Sequence, residues 1–250
     1  MKIFRRYGLS IGLVLLLLIV WEIGARLYGK PFILPSPINI FARLWELRSV
    51  LFINHLPATL AVILIGLLMS LVLGIGLSIW MHESEIVRKA FFPLLIASQT
   101  IPVIALAPIF VLWFGYSIWS KVVVTVLITF FPITVNTFDG LRATDPHLKE
   151  VLQTMGATKR QIFLKVELPS ALPHFYSGLK VAVTLSVIGA AIGEWLGADS
   201  GLGYFSRRMM TQFDGAGVFA PIVLLSLLGI ALFLLVGLLE KITMKWRNEN

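Results

Sequence analysis

The sequence predicts an all-α membrane protein with six transmembrane helices, and two observations support this. Of its 250 residues, 58% are hydrophobic and 14% are charged, whereas a soluble domain carries roughly 25% charged residues. A soluble core of this size cannot hide so much apolar surface, so lipid must be the solvent for most of it. The Lys and Arg residues also lie mostly between the apolar runs. There they indicate membrane orientation rather than a nucleic-acid-binding fold.

Several classes of functional site are excluded by the sequence. The chain has no cysteine, which rules out disulfides, thiolate metal sites and cysteine nucleophiles. Its four histidines are scattered without metal-ligand spacing, and the chain has no GxxxxGK(S/T) phosphate loop for ATP. No acid–base or nucleophile cluster is visible either. We therefore expect a protein that is not an enzyme, needs no cofactor and binds no nucleic acid.

The six predicted spans form one transmembrane domain of residues 1–250. They cover about residues 9–28, 57–81, 91–113, 119–138, 177–196 and 218–239. The first run follows Lys2, Arg5 and Arg6 and resembles a signal peptide, but it lacks a convincing cleavage site and five more spans follow. We interpret it as an uncleaved helix. After it, residues 38–52 have apolar residues at helical spacing, which predicts a short amphipathic helix at the outer interface.

Small residues in spans two and five favour close helix packing. The second span contains Gly66 and Gly74. The fifth carries Gly189, Gly193 and Gly197, which form a double GxxxG pattern. Glycines at this spacing let two helix backbones approach closely.

The third span is predicted to be bent. It contains Pro93, Pro102 and Pro108, and each proline removes a backbone donor from the helix. Gln99 and Thr100 lie just before Pro102, near the middle of the membrane. These two polar residues either form an interhelical hydrogen bond or line a transport pathway, and the sequence leaves both interpretations open.

The distribution of Lys and Arg predicts on which side of the membrane the two termini lie. Six spans put both termini on one side of the membrane, and 14 of the 21 Lys and Arg residues then fall on that side. Because positive residues are enriched in cytoplasmic segments, we expect the N-terminus, the C-terminus and the long loop of residues 139–176 in the cytoplasm. This loop lies between the fourth and fifth helices.

The long loop is predicted to contain a helical hairpin. Asp145 is suited to cap a helix that begins at Pro146, and Gly156 is placed to end it in a left-handed conformation. A second helix begins at Thr158, where Gln161 completes a capping-box pattern.

The hairpin needs a surface on which to pack. Apolar residues recur at helical spacing along its first helix (Leu148, Val151, Leu152, Met155), and the pair Leu168–Pro169 is expected to end the second helix. Helices this short are unstable alone in water. They must therefore pack on the membrane domain or on a partner protein.

The spacing of this loop resembles the motif of permease subunits in bacterial ABC importers, which has the form EAA-x₃-G-x₉-I-x-LP. Glu150 takes the glutamate position, Gly156 the glycine, Val166 the isoleucine and Leu168–Pro169 the final pair. Every spacing is kept. The departure is residues 151–152, Val-Leu, where alanines are usual, and this departure bears on how closely the helix seats in its partner.

Other segments resemble one branch of that family. The sequences IPVIALAPIFVLWFG, FFPITVNTFDGLR and GEWLGADSGLG are similar to permeases for sulfonate, taurine and nitrate and to their thiamine-precursor relatives. Residues 177–203 look more like the thiamine-pyrimidine-precursor permeases than like the sulfonate ones. A stand-alone secondary carrier is the alternative from another class, but it would be expected to show inverted repeats and ionisable residues at mid-membrane.

The resemblance implies specific partners. They are ATP-binding cassette ATPase subunits, an extracytoplasmic solute-binding protein, a second permease copy in a homodimer, and the lipid of the bacterial inner membrane. It also implies a coupling role for part of the loop (Glu150, Gly156, Ala157, Val166, Leu168, Pro169). The alternative is a hairpin that packs only on its own membrane domain.

Three residues of the fifth span are candidates for the pathway or a gate. Thr184 and Ser186 can face the pathway. Such hydroxyls also form hydrogen bonds to backbone carbonyls of their own helix, without any functional role. Glu194 is an acid near the outer end of the span. It can gate the pore, contact the binding protein or pair structurally with Arg207 or Arg208.

Overall fold

The computed structural model describes the backbone of residues 2–244 and the side chains of residues 8–244. The secondary-structure elements of this part of the chain are all helices, as predicted. In chain order the helices are α1 (Lys2–Tyr28), α2 (Pro37–Val50), α3 (Leu56–Glu83), α4 (Glu85–Ser98), α5 (Val103–Phe114), α6 (Ile118–Arg142), α7 (Pro146–Thr154), α8 (Lys159–Ile162), α9 (Leu168–Gly197), α10 (Leu202–Thr211) and α11 (Gly215–Thr243).

Five helical segments of the described chain are long and apolar enough to cross a membrane, and a bent helix pair makes a sixth if it counts as one span. The six predicted spans match the larger number. The side chains of Lys2, Arg5 and Arg6, and the tail residues Lys245 and Arg247, lie outside the described residues. The predicted cytoplasmic location of both termini therefore stays a prediction.

Helices α3, α6 and α9 form the centre of the molecule and pack along much of their length. Two glycines of the predicted GxxxG face of α9 lie directly on α6, and the third, Gly197, lies against Val111 of α5. A Cβ atom added at Gly189 would come within 2.9 Å of the Thr125 Cα, and one at Gly193 within 2.9 Å of the Lys121 Cα. Only hydrogen fits at these two positions, so the glycines fix how closely the helices approach.

Hydroxyl groups join α3 to α6 inside this core. The Ser70 and Thr129 hydroxyls lie 2.6 Å apart, and the Ser78 hydroxyl donates to the Thr134 carbonyl at 2.7 Å. All four residues are buried. Such bonds satisfy polar groups that would otherwise be unpaired in an apolar environment.

The amphipathic helix predicted for residues 38–52 is not a separate element. Helix α2 runs through a π-helical segment, Leu51–His55, into α3, and together they form one helical stretch from Pro37 to Glu83. Pro57 does not break this helix. The Leu56 N–H reaches back to the Leu51 carbonyl, and the wider π turn accommodates the proline that follows.

The third predicted span is bent, as expected. Helices α4 and α5 meet at an angle of 99° around a short break that contains Pro102. One bent crossing helix was predicted, whereas the structure has two distinct helices. Ser84 caps α4 by accepting from the Val87 N–H at 3.4 Å, so the polar turn before this span is itself a helix start.

Candidate functional site

The predicted hairpin is formed by α7 and α8, and its caps are those expected. The Asp145 carboxylate accepts from the His147 N–H at 2.9 Å, and Gly156 adopts a φ of +82°. Thr158 and Gln161 form a reciprocal capping box, in which each side chain bonds the other residue's backbone. We call the end of the molecule that carries this hairpin the hairpin end.

The end predicted for the second hairpin helix is wrong. Leu168–Pro169 does not stop it, because the chain continues through a second π-helical segment, Phe163–Glu167, into α9. The Leu168 N–H bonds to the Phe163 carbonyl. This repeats the arrangement before Pro57, where a Leu-Pro pair also follows a π segment. The result is one continuous helical stretch, Lys159–Gly197.

An apolar stripe on α7 is exposed. Leu148, Val151 and Met155 are 45%, 53% and 77% exposed, although their spacing is that of a buried helix face. Glu150 lies beside them with its carboxylate also exposed, 3.8 Å from the His147 Nδ1. An exposed apolar face of this kind is typical of a surface that binds another protein.

Of the remaining motif residues, Ala157 lies in the turn between α7 and α8, and the others lie where the hairpin joins α9. Ala157, Val166 and Pro169 are half-buried and Leu168 is exposed. The buried apolar residue of this region is Ile162, which is 4% exposed.

An ionic cluster attaches the hairpin to the membrane helices. The Lys149 Nζ lies 2.5 Å from the Glu167 Oε1, and the His82 Nε2 lies 2.9 Å from the Glu167 Oε2. These three residues, the ionic cluster, belong to α7, to the segment before α9 and to the end of α3. Glu167 itself is buried. The cluster was not predicted from the sequence, although a charged residue between Val166 and Leu168 of the motif was a visible signal.

The opposite end of the molecule carries α10, and we call it the α10 end. Three side chains from other elements accept the first N–H groups of this helix. The His55 Nδ1 accepts from Gly201 at 3.1 Å, the Thr59 hydroxyl from Leu202 at 2.9 Å, and the Glu194 carboxylate from Gly203 at 2.8 Å.

These three side chains are all buried, and we call His55, Thr59 and Glu194 the three-residue cap. They satisfy N–H groups that every helix start leaves unpaired. Gly201 has a φ of +113°, and a Cβ there would overlap the Glu194 carboxyl group. Both its backbone conformation and its contact with Glu194 therefore require glycine.

Glu194 does not form the ion pair considered from the sequence. Its Oε2 accepts from a backbone N–H, and its Oε1 has no hydrogen-bond partner among the described residues. Arg207 donates instead to the Trp195 carbonyl at 2.5 Å. The structural role of Glu194 is thus to hold the start of α10, and a role as a gate or as a contact for a binding protein remains a prediction.

A cavity of about 610 Å³ opens between α5, α9, α10 and α11. Its walls are mostly aliphatic, with hydroxyls from Thr184, Ser206 and Ser226. Thr184 lines the cavity and its hydroxyl donates to the Val181 carbonyl at 2.8 Å. Ser186 is buried and donates to the Val183 carbonyl at 2.8 Å.

The two polar residues of the third span lie apart from this cavity's walls. Gln99 and Thr100 are exposed at the break between α4 and α5. The Gln99 amide donates to the Ser98 hydroxyl at 3.3 Å, and the Thr100 hydroxyl donates to the Ala97 carbonyl at 2.7 Å. Their bonds in this structure are therefore local, and a pathway role for them stays a prediction.

Comparisons with known proteins agree with the resemblance seen in the motif. Residues 66–244 match the family of binding-protein-dependent transport system inner membrane components. The chain is 64% identical to the formylaminopyrimidine transport permease protein of Halalkalibacterium halodurans over 94% of both chains. It is 38% identical to the riboflavin transport system permease protein of Chloroflexus aurantiacus, over 96% of this chain and 90% of that one.

A more distant relative represents the sulfonate branch. The putative aliphatic sulfonates transport permease protein of Bacillus subtilis is 32% identical over 98% of this chain and 90% of its own. Together with the family match over residues 66–244, these identities show that the chain belongs to the binding-protein-dependent transport system inner membrane components, the permease subunits of ABC importers.

Proposed function

We propose that this permease carries a formylaminopyrimidine, a precursor of the thiamine pyrimidine, across the inner membrane. The observation that carries the proposal is the identity of 64% over 94% of both chains to a permease named for that solute. The aliphatic-sulfonate relative is half as similar, at 32%. The sulfonate class is therefore the solute to test against.

We further propose that α7 is the coupling helix and that it docks on an ATPase subunit in the cytoplasm. The exposed stripe of Leu148, Val151 and Met155 supports this, because the apolar face of a short helix needs a covering surface in water. Glu150 would then pair with the ATPase, and Gly156 permits the chain reversal between α7 and α8.

The cavity beside α9 supports a pathway formed by two copies of the chain. It is open on one side and its walls are largely apolar, and about 610 Å³ lies within the range of small-molecule sites. A second permease copy would close it, and Thr184 would offer a hydroxyl to a pyrimidine. Glu194 and Ser186 are buried and do not line this cavity.

Uptake by reconstituted vesicles tests the proposal. The permease is inserted together with its ATPase and solute-binding protein, and the accumulation of labelled formylaminopyrimidine is measured with and without ATP. We expect accumulation that requires ATP and all three components, and no accumulation of an aliphatic sulfonate. Uptake without ATPase and ATP would indicate a secondary carrier, and accumulation of the sulfonate alone would overturn the proposed solute.

A further inference from the structure

A second cavity, of about 300 Å³, lies at the hairpin end between α3, α4, α6 and the start of α7. We call it the basic cavity, because cationic side chains line most of its polar wall. Its lining residues include Arg88, Arg142, Lys149, His82 and Glu85.

The balance of charge in the basic cavity is positive. Glu85 is the one carboxylate in its lining, and it lies 2.7 Å from Arg88. Lys149 is balanced from outside the cavity by Glu167. The Arg142 guanidinium lies over the Phe138 ring, 5.6 Å from its centre, and it is a third cation in the same wall. Because Arg88 is paired with Glu85 and Lys149 with Glu167, Arg142 is the cation of this wall without a carboxylate partner among the described residues, and it favours an anionic ligand.

A buried hydroxyl is available in the same wall. Thr144 is 5% exposed, and its Oγ1 has no hydrogen-bond partner among the described residues. It lies in the cavity lining beside the cations. A buried hydroxyl without a partner is unfavourable, and a rotation of the Thr144 side chain toward the cavity would let an oxygen of a bound anion satisfy it.

The position of the cavity along the membrane helices indicates the source of the anion. Met81 and His82 of its lining directly follow Trp80 at the end of α3. Trp80 is 56% exposed, and its ring packs against Phe91 at 5.7 Å. Exposed tryptophans at helix ends are typical of the headgroup layer, and basic pockets between membrane helices suit anionic headgroups.

We propose that the basic cavity binds a phosphate group, through Arg142, Arg88 and the Thr144 hydroxyl, beside the helix that couples the permease to its ATPase. The two sources of this group are the phosphodiester of an anionic lipid headgroup and free phosphate in the cytoplasm. The assignment to the cytoplasmic side rests on the proposed orientation, whereas the binding site itself does not. Because Lys149 lines the cavity and also holds Glu167, an anion there would compete for the cation that attaches α7.

A binding experiment on the purified full-length chain tests this without any measurement of transport. The thermal unfolding midpoint in neutral detergent is followed against added phosphatidylglycerol, phosphatidylcholine and inorganic phosphate. We expect phosphatidylglycerol or phosphate to raise the midpoint and phosphatidylcholine to leave it unchanged. In Arg142→Gln the half-saturating concentration should rise about tenfold, because a charge-assisted hydrogen bond is lost.

Thr144→Val is the second variant, because it removes the hydroxyl at nearly constant volume. Without ligand it should be as stable as the parent or more stable, yet it should also bind the anion more weakly. Arg48→Gln is the matched control, since Arg48 stacks on Trp45 at 4.2 Å on α2, outside this cavity. Its ligand response should equal that of the parent.

The outcomes separate the two sources and the competing explanation. A response to phosphatidylglycerol that both variants weaken identifies a lipid headgroup. A response to phosphate alone that both variants weaken identifies a soluble anion. No response, or a response that Arg142→Gln and Thr144→Val leave unchanged, overturns the site.

Discussion

The two ends of α9 are held in different ways. At the α10 end, the three-residue cap fixes α10 with three buried hydrogen bonds. At the hairpin end, α7 is held by the ionic cluster, and its apolar stripe is exposed. The first N–H groups of α10 are thus bonded within the chain, whereas the hairpin end leaves apolar surface exposed. This asymmetry is what the proposed coupling role of α7 requires, since one end would move with the ATPase while the other keeps its shape.

The largest expected effect is on the α10 end. Glu194→Ala leaves the Gly203 N–H unpaired in a buried place, and we expect the free energy of unfolding to fall by about 3 kcal/mol. Glu194→Gln is the matched control, because its amide oxygen still accepts this bond, and it should cost less than about half as much. Thermal unfolding in detergent measures both. Equal losses in the two variants would show that the charge matters and not the cap.

The next effect concerns coupling at the hairpin end. Gly156→Pro cannot adopt a φ of +82°, since proline fixes φ near −65°, so the turn between α7 and α8 must rearrange. We expect ATP-driven uptake to fall at least about tenfold, roughly 1.4 kcal/mol in the barrier, while the protein remains in the membrane. Gly156→Asp should act in the same direction.

Gly29→Pro is the control for this experiment. Gly29 also has a positive φ, +67°, and open space around it, but it lies between α1 and α2. Uptake should remain near the parental rate in this variant. Near-normal uptake in Gly156→Pro would contradict a coupling role for α7.

A smaller effect is expected in the ionic cluster. Glu167→Gln keeps the size of the side chain but removes the charge that faces Lys149 and His82. We expect a loss of about 1 kcal/mol in the free energy of unfolding. We also expect the substitution to increase the rate of hydrogen exchange in α7 more than in α10. If exchange in α7 does not change, the cluster does not attach the hairpin.

The smallest effect is on the apolar stripe. Met155→Ser removes a side chain that is 77% exposed, so the isolated permease should keep its stability. Its affinity for the ATPase should fall about threefold, roughly 0.7 kcal/mol, because part of a methionine is no longer buried on binding. Leu112→Ser is the control, since Leu112 is equally exposed at 83% but lies on α5.

Local patterns predicted much of this structure. The capping residues Asp145 and Thr158 and the turn at Gly156 follow from preferences of single residues and their near neighbours. The glycine face of α9 was likewise visible as a spacing. The helix end expected at Pro169 was wrong, because a π turn accommodates a proline that an α turn would not.

Long-range contacts could not be predicted from the sequence. His82 lies 85 positions from Glu167, and His55 lies 146 positions from Gly201. No local spacing pattern indicates that these residues are in contact, and each histidine looked isolated in the sequence. The unpaired Thr144 hydroxyl could not be predicted from the sequence either, because its lack of a partner is a property of the packed cavity wall.

Glu167 and Glu194 lie on one continuous helical stretch, and together they constrain its length. The two carboxylates lie about 40 Å apart along one helix, at a rise of about 1.5 Å per residue, and each is committed to a partner at its own end. One inserted residue between them would turn one carboxylate by about 100° relative to the other. Relatives are therefore expected to keep the number of residues between the two acids constant even where side chains along this stretch differ.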